Sequence, residues 1–524
     1  MSRALFKSTS LVGGMTLLSR LLGFARDIVF AQAFGAGIVM DAFFVAFKIP
    51  NFLRRMFAEG AFSQAFVPVL AEVRRQGGEA EVRDFINRTT GGLGLVLVVL
   101  TAIGVVAAPI LIYVFAPGFT AEPDKYALSV AMLRLTFPYL LFISLTALAG
   151  GILNTYGRFG APAFTPVILN IVLIGAAIGL APHLPDPGLA LAWGVLIAGF
   201  VQLAFQVPFL LRLRLLPRPR LVGRHPAVRR IMRLMLPALF GSSVSQINLL
   251  IDTIIASFLA TGSVSWLYYS DRLMEFPLGV FAIALATVIL PGLSAHHAAR
   301  AGAAFSATLD WALKLALVVV LPAAVGLFML SGPLIATLFR HGEFDAHDTV
   351  MAHWSLMAYA FGLAGFTLVK ILAPGFYARQ DVRTPVRIGV VSVAANIAFN
   401  AAITAPLALL HFRAPHAGLA LATSLAAFVN AGLLYRALRR AGAYRPGAGW
   451  GTLALRVLLA NAIMAVILAA GVGPLSQWIA WPGLTRAWHL ALWIAVAGIV
   501  YFGTLALSGM RPRHLRAEAV AHQA

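Results

Sequence analysis

LGLVLVVLTAIGVVAAPILIYVF, residues 93–115, runs for 23 positions without an acidic or basic side chain. A helix crossing the hydrocarbon core of a bilayer needs about 20 such residues. LALVVVLPAAVGLFML (315–330) repeats the pattern, and so does most of the chain. Of 524 residues, 60% are hydrophobic and 11% charged, with a mean hydropathy of +0.87; soluble proteins carry about 25% charged residues. The period-two alternation of a barrel is absent. Helices are then the backbone solution that satisfies every N–H and C=O in lipid. The expected fold is an all-α, polytopic membrane protein of about fourteen spans. They lie near 8–34, 38–58, 85–115, 128–154, 162–181, 188–212, 231–260, 264–294, 304–331, 348–377, 384–409, 416–436, 452–471 and 486–509.

The formal charge of +21 has a topological explanation that removes the need for a nucleic-acid partner. Of the 40 Lys and Arg, 26 fall in the two ends and alternate loops, chiefly 72–88, 212–233, 379–387 and 436–445. The other loops hold four: Lys125, Arg340, Arg413 and Arg486. This is the positive-inside asymmetry, and it places both termini in the cytoplasm. MSRALFKSTSLVGGMTLLSR reads as the first span and not as a cleaved leader. With no cysteine, disulfides and thiolate-bound metals are excluded.

An internal repeat occurs at an offset of about 224 residues. APILIYVFAPGF (108–119) aligns with GPLIATLFRHGEF (332–344), and ARDIVFAQAFGAG (25–37) with IDTIIASFLATG (251–262), pairing Asp27 with Asp252. The expected organisation is a first lobe over 1–215, a basic cytoplasmic linker over 216–233 and a second lobe over 234–440. Two extra helices over 441–510 and a basic tail over 511–524 follow. Parallel repeats of this kind are a recurring transporter plan, with the substrate site at the lobe interface. Pro217, Pro219 and Pro226 break the linker, whose arginines suit anionic headgroups.

Ionisable side chains inside spans are costly and mark functional paths. The first span holds Arg20, Arg26 and Asp27, with Arg20 and Asp27 about 20° apart on a helix. In DAFFVAFKIPNFLRRMFAEG (41–60), Asp41, Lys48, Arg55 and Glu59 share a face, with Arg54 off it and Pro50 disturbing the phase. YYSDRLMEFP places Asp271, Arg272 and Glu275 at neighbour spacings before Pro277. Structural ion pairing accounts for part of this set, and snorkelling for Arg54 and Arg55. A cation-lined cavity accounts for the rest, and guanidinium forks favour a phosphate-bearing substrate. Elsewhere, Asp252 together with Asn396, Asn400 and Thr423 forms a candidate oxygen-ligand site for a monovalent cation such as Na⁺. Hydrogen bonding between helices is the competing role for the Asn pair.

Three function classes compete. A P-loop, an HExxH and a Ser/His/Asp arrangement are all missing, and His296–His297 sit at a helix end. A polytopic enzyme acting on a polyprenyl phosphate would need a larger extramembrane portion than these loops provide. A cation-coupled drug exporter would need an acidic cavity. A transporter of an anionic substrate fits the arginines.

SRLLGFARD (19–27), DAFFVAFKIPNFLRRMFAEGAFSQAFVPVLAE (41–72), GSVSWLYYSDRLMEFPLGV (262–280) and LAPGFYARQDVRTP (372–385) closely resemble the MurJ (MviN) family. That family belongs to the multidrug/oligosaccharidyl-lipid/polysaccharide exporter superfamily, and the likeness runs from about residue 5 to 510. The resemblance implies a flippase for lipid II, the undecaprenyl-pyrophosphate-linked peptidoglycan precursor, in the bacterial cytoplasmic membrane. Related exporters of other polyprenyl-pyrophosphate-linked glycans are the nearest alternative. It further implies contact with membrane lipids and cell-wall synthesis proteins, no cofactor beyond a coupling cation or the membrane potential, and a lipid-tail groove on the last two helices. Family residues carry over onto Arg20, Arg26, Asp41, Arg54, Arg55, Asp271, Arg272 and Glu275.

Overall fold

A computed structural model describes residues 3–55, 62–220, 229–231, 233, 248 and 250–511. Among the described residues every regular element is a helix. The chain divides into two compact units, Met1–Ser265 and Trp266–Ala524.

Unit 1 contains α1 (Arg3–Phe34), α2 (Ile38–Arg54), α3 (Ser63–Gln76), α4 (Glu79–Val106), α5 (Ala108–Phe115), α6 (Pro123–Thr136), α7 (Tyr139–Thr155), α8 (Gly160–Gly175) and α9 (Leu189–Arg212). Residues 250–257 form α10. Helix α1 packs on α8, α8 and α7 on α9, and α2 on α6. Phe66, Phe85, Ile152 and Leu210 bring α3, α4, α7 and α9 into one core. The sequence reading treats 72–88 as a loop. The structure shows instead that α3 is an amphipathic helix, with Phe66, Val69 and Leu70 buried and Arg74 and Arg75 exposed. The described start of the linker is also docked. Arg218 N donates to Asn87 Oδ1 at 2.7 Å, Arg220 N to Asn87 O at 3.1 Å, and the Arg220 guanidinium meets Asp84 at 3.5 Å. Gly91 makes this approach possible, because a Cβ there would overlap the Arg220 carbonyl.

Unit 2 is built from α11 (Ser263–Pro277, opening in unit 1), α12 (Ile283–Ala298), α13 (Gly302–Met329), α14 (Ser331–Leu338), α15 (Ala346–Tyr377), α16 (Arg383–Phe399), α17 (Ala405–Leu409), α18 (Pro415–Arg440), α19 (Trp450–Gly471), α20 (Leu475–Ala480) and α21 (Gly483–Leu507). Helix α15 packs along both α13 and α18 around Leu313, Leu363, Leu372 and Leu434. Helices α19 and α21 pair and rest on α13 and α14 through Val318, Met464, Trp478 and Tyr501.

Among the described residues, eleven helical stretches are long and apolar enough to cross a membrane. The other three expected spans fall on α1, on α2, and on 231–260, which lies mostly outside the described residues. The outward faces are apolar: Leu95, Val98, Ile103 and Val106 of α4 are all exposed. Water would not tolerate so continuous a patch, but lipid solvates it.

The element order recurs along the chain. Helices α4 and α13 are each 28 residues long and start 223 residues apart, at Glu79 and Gly302. The eight-residue α5 and α14 start 223 apart as well, at Ala108 and Ser331. Helix α8 runs into a π-turn at Ala176–Leu180, and α16 into one at Asn400–Thr404. A third π-turn, Leu278–Ala282, follows Pro277 and joins α11 to α12. A proline removes a ladder hydrogen bond, and a wider turn is one way to absorb the loss. Several expected spans are therefore segmented. The stretch 85–115 is two helices, and 128–154 is broken at Phe137–Pro138.

Candidate functional site

Arg26 is 6% exposed and Asp27 fully buried. Arg26 Nε and Nη2 both donate to Asp27 Oδ1, at 3.0 and 2.7 Å, and Nη1 donates to Asn170 Oδ1 at 3.2 Å. Asn170 is held in turn by its donation to the Ser19 and Pro166 carbonyls. The Arg26 guanidinium also lies 5.5 Å from the centre of the Phe30 ring. A membrane guanidinium is thus neutralised within its own helix and aligned by an amide on α8. Arg20, two turns earlier, is exposed.

Asp41 sits in the first turn of α2 and is 1% exposed. Its Oδ2 accepts Gly262 N at 2.8 Å and lies 3.1 Å from Lys125 Nζ. Its Oδ1 accepts Ser265 N at 2.9 Å and Ser265 Oγ at 2.6 Å. Lys125 Nζ donates to Thr261 Oγ1 at 3.0 Å, and Thr261 Oγ1 donates to the Glu122 carboxylate at 2.8 Å. The Phe119 ring centre is 4.3 Å from the ammonium. The sequence reading treats Lys125 as a loop cation; it is in fact one of the largest fully buried side chains. Glu122-Pro123-Asp124 reads as loop because it is polar, yet Pro123 opens α6 and turns Lys125 inward.

The remaining charged residues of the expected spans are less enclosed. Lys48 Nζ donates to Thr253 Oγ1 at 2.6 Å. Arg54 Nε donates to Asn51 Oδ1 at 2.8 Å, Arg55 is exposed, and Glu59 lies outside the described residues. In unit 2, Arg272 pairs with Glu275 at 3.0 Å and lies 5.8 Å from the Tyr268 ring centre, and Asp271 is half-buried.

Of the cation-site candidates, Asp252 belongs to unit 1, and Asn396, Asn400 and Thr423 to unit 2. Asn400 Nδ2 donates to Asn396 O at 3.0 Å and to its Oδ1 at 3.3 Å, and Thr404 Oγ1 donates to Asn400 Oδ1 at 2.9 Å. These bonds bridge the entry into the π-turn. Among the described residues, no cluster of three His, Cys, Asp or Glu side chains could hold a metal ion.

Unit 2 also has an apolar cavity of about 620 Å³, walled by Leu313, Val320, Leu368 and Phe428 and closed at one end by Tyr444 and Trp450. That end is pinned by Asp310, a residue the sequence gives no reason to single out. Asp310 Oδ1 accepts Tyr444 OH at 2.8 Å, Trp450 Nε1 at 2.7 Å and Gly447 N at 3.0 Å, and its Oδ2 pairs with Lys314 at 2.8 Å.

The sequence and the arrangement of helices have counterparts among known proteins. The family model described as "Lipid II flippase MurJ" matches residues 30–481. This chain belongs to the MurJ family. A "Probable lipid II flippase MurJ" of Haemophilus influenzae is 45% identical over 514 residues, spanning 96% of this chain and 99% of its own. The "Lipid II flippase MurJ" of Burkholderia cenocepacia is 42% identical, spanning 98% and 99%. A solved structure titled "Lipid II flippase MurJ, inward closed conformation" superposes with a TM-score of 0.77 at 27% identity, covering 95% of this chain and 98% of that one. An inward-facing MATE-family multidrug transporter of the MOP superfamily shares the fold, with a TM-score of 0.63 at 16% identity over 81% of this chain and 95% of its own. The MurJ membership makes this chain a multi-pass membrane protein of a transporter family.

Proposed function

We propose that this chain carries lipid II across the bacterial cytoplasmic membrane by alternating access, as a transporter and not an enzyme. Arg20, Arg26 and Arg272 take the pyrophosphate, with Asp41, Arg54, Arg55, Asp271 and Glu275 organising the path. The apolar cavity of unit 2 takes part of the polyprenyl tail. The observation that carries this reading is Arg26, a buried guanidinium whose charge is already offset by Asp27. Pyrophosphate competes with Asp27 for the same donors, and the displaced Asp27 carboxylate must then take a proton or another donor. We further propose fourteen spans with both ends cytoplasmic, and coupling to a cation gradient through Asp252 or to the membrane potential.

The test uses Arg20→Ala, Arg26→Ala and Arg272→Ala in proteoliposomes with defined lipid II. Arg20→Ala and Arg272→Ala are expected to insert and melt like the parent, and Arg26→Ala to insert but melt lower because it strands the buried Asp27 carboxylate. Each is expected to bind and flip lipid II at least about tenfold less well. If all three variants fold and flip normally, the reading is wrong. Misfolding rescued by removal of the facing acid would make the arginines structural partners instead.

A further inference from the structure

The motif LAPGFYARQDVRTP has no part in the pyrophosphate path, yet it builds a cavity of its own. Helix α15 ends at Tyr377 and α16 begins at Arg383, with α18 ending beside them at Arg440. The ends of these three helices enclose about 720 Å³, lined by Arg379, Arg387, Arg436, Arg440, Asp381 and Thr384 over a floor that includes Phe376 and Ile388. The formal balance is four guanidiniums against one carboxylate. Asp381 Oδ1 accepts Thr384 N at 3.0 Å, and the carboxylate's charge offsets part of that of Arg379. Among the described residues, none of the four arginines forms an ion pair.

Arginines near the C-termini of α15 and α18 complement the two helix dipoles, but each terminus carries only about half a negative charge. That leaves an excess of positive charge in a concave site at the level where three spans leave the bilayer. The chemistry of the lining matches a phosphodiester. Forked donors can bridge its oxygens, and the apolar floor can receive the glycerol and upper acyl carbons. A soluble phosphate would find the same donors but would leave the floor unused.

We propose that this pocket binds the headgroup of an anionic phospholipid, seated by Arg387 and Arg436 and separate from the transport path. The proposal does not depend on lipid II transport, because its test contains no lipid II. Purified full-length protein and an Arg387→Ala/Arg436→Ala variant are melted in detergent with added phosphatidylglycerol, phosphatidylcholine or glycerol phosphate. Both side chains are exposed, so the variant should melt like the parent in phosphatidylcholine. Phosphatidylglycerol is expected to raise the melting temperature of the parent, with half-saturation shifted about tenfold or more higher in the variant. An Arg387→Lys/Arg436→Lys protein should fall between them. Equal responses of parent and alanine variant to phosphatidylglycerol would overturn the assignment. So would a parent response to glycerol phosphate as large as that to the lipid, which would mark a site for soluble anions.

Discussion

Lys125 Nζ lies 3.1 Å from Asp41 Oδ2, and each side chain keeps only 1% of its surface. The pair joins the start of α6 to the start of α2, and Asp41 extends it to the backbone at Gly262 and Ser265. Desolvation costs such a pair several kcal/mol, which only good geometry and further hydrogen bonds offset. Removing one partner is therefore far worse than removing both. Lys125→Met and Asp41→Asn alone are each expected to cost about 3–5 kcal/mol, and the double variant to recover a good part of that loss. The measurement is a double-mutant cycle on thermal unfolding in detergent. Additive losses would show that the two charges do not stabilise each other.

Asp310 predicts a different kind of loss. One carboxylate collects the Tyr444 hydroxyl, the Trp450 indole and the Gly447 amide, and so fixes the 441–449 connection between α18 and α19. Asp310→Ala leaves those donors without their acceptor, at about 1–3 kcal/mol for each that stays buried. Protease cleavage within 441–449 should accelerate at least about tenfold, while cleavage in the 342–345 turn stays unchanged. An unchanged rate at 441–449 would mean that packing alone fixes the connection.

Gln380 holds φ +59 at the end of α15, and Gly157 holds φ +73 at the end of α7, 223 residues earlier in the repeat. Asp381 N reaches back to Phe376 O at 3.0 Å, and Arg158 N to Leu153 O at 2.8 Å, so the two turns share a hydrogen-bond pattern. Left-handed backbone costs an L-residue about 1–2 kcal/mol, offset in part by the extra unfolded-state freedom of glycine. Gln380→Gly is thus expected to stabilise the protein by up to about 1 kcal/mol, read as a raised melting temperature. A lower one would mean that the Gln380 side chain contributes more than its backbone strain.

Topology gives the fourth expectation. The chain has no cysteine, so one introduced at position 220 is a unique label. From the charge asymmetry it should resist impermeant maleimide in intact cells and react fully once the membrane is opened. Labelling from outside would invert the proposed orientation.

Where apolar runs are long, the sequence shows the fold directly, because hydrocarbon thickness dictates their length. The match of 108–119 with 332–344 likewise falls on α5 and α14. The break between α6 and α7 is harder to see, since TFPYLLF stays apolar through Pro138. At the candidate site, the buried charge of Arg26 and Asp41 is legible as an anomaly within an apolar stretch. Their partners are not, because Asn170, Lys125 and Ser265 come from distant segments and look like ordinary polar residues until the chain is folded. Asp310 escapes notice for the same reason, as three of its donors arrive from beyond α18.

The π-turn at Leu278–Ala282 acts as a phase shifter. One residue more per turn advances everything downstream by about 100° relative to an unbroken helix. Ile289 and Leu293 of α12 reach the core only with that offset included. A helical wheel drawn straight through Pro277 therefore assigns the wrong face to every residue after it. A single-residue deletion within the turn would lengthen the regular helix while rotating α12 to present Ile289 and Leu293 to lipid. In this span, sequence length itself is a conserved quantity of the packing, independent of which side chains fill it.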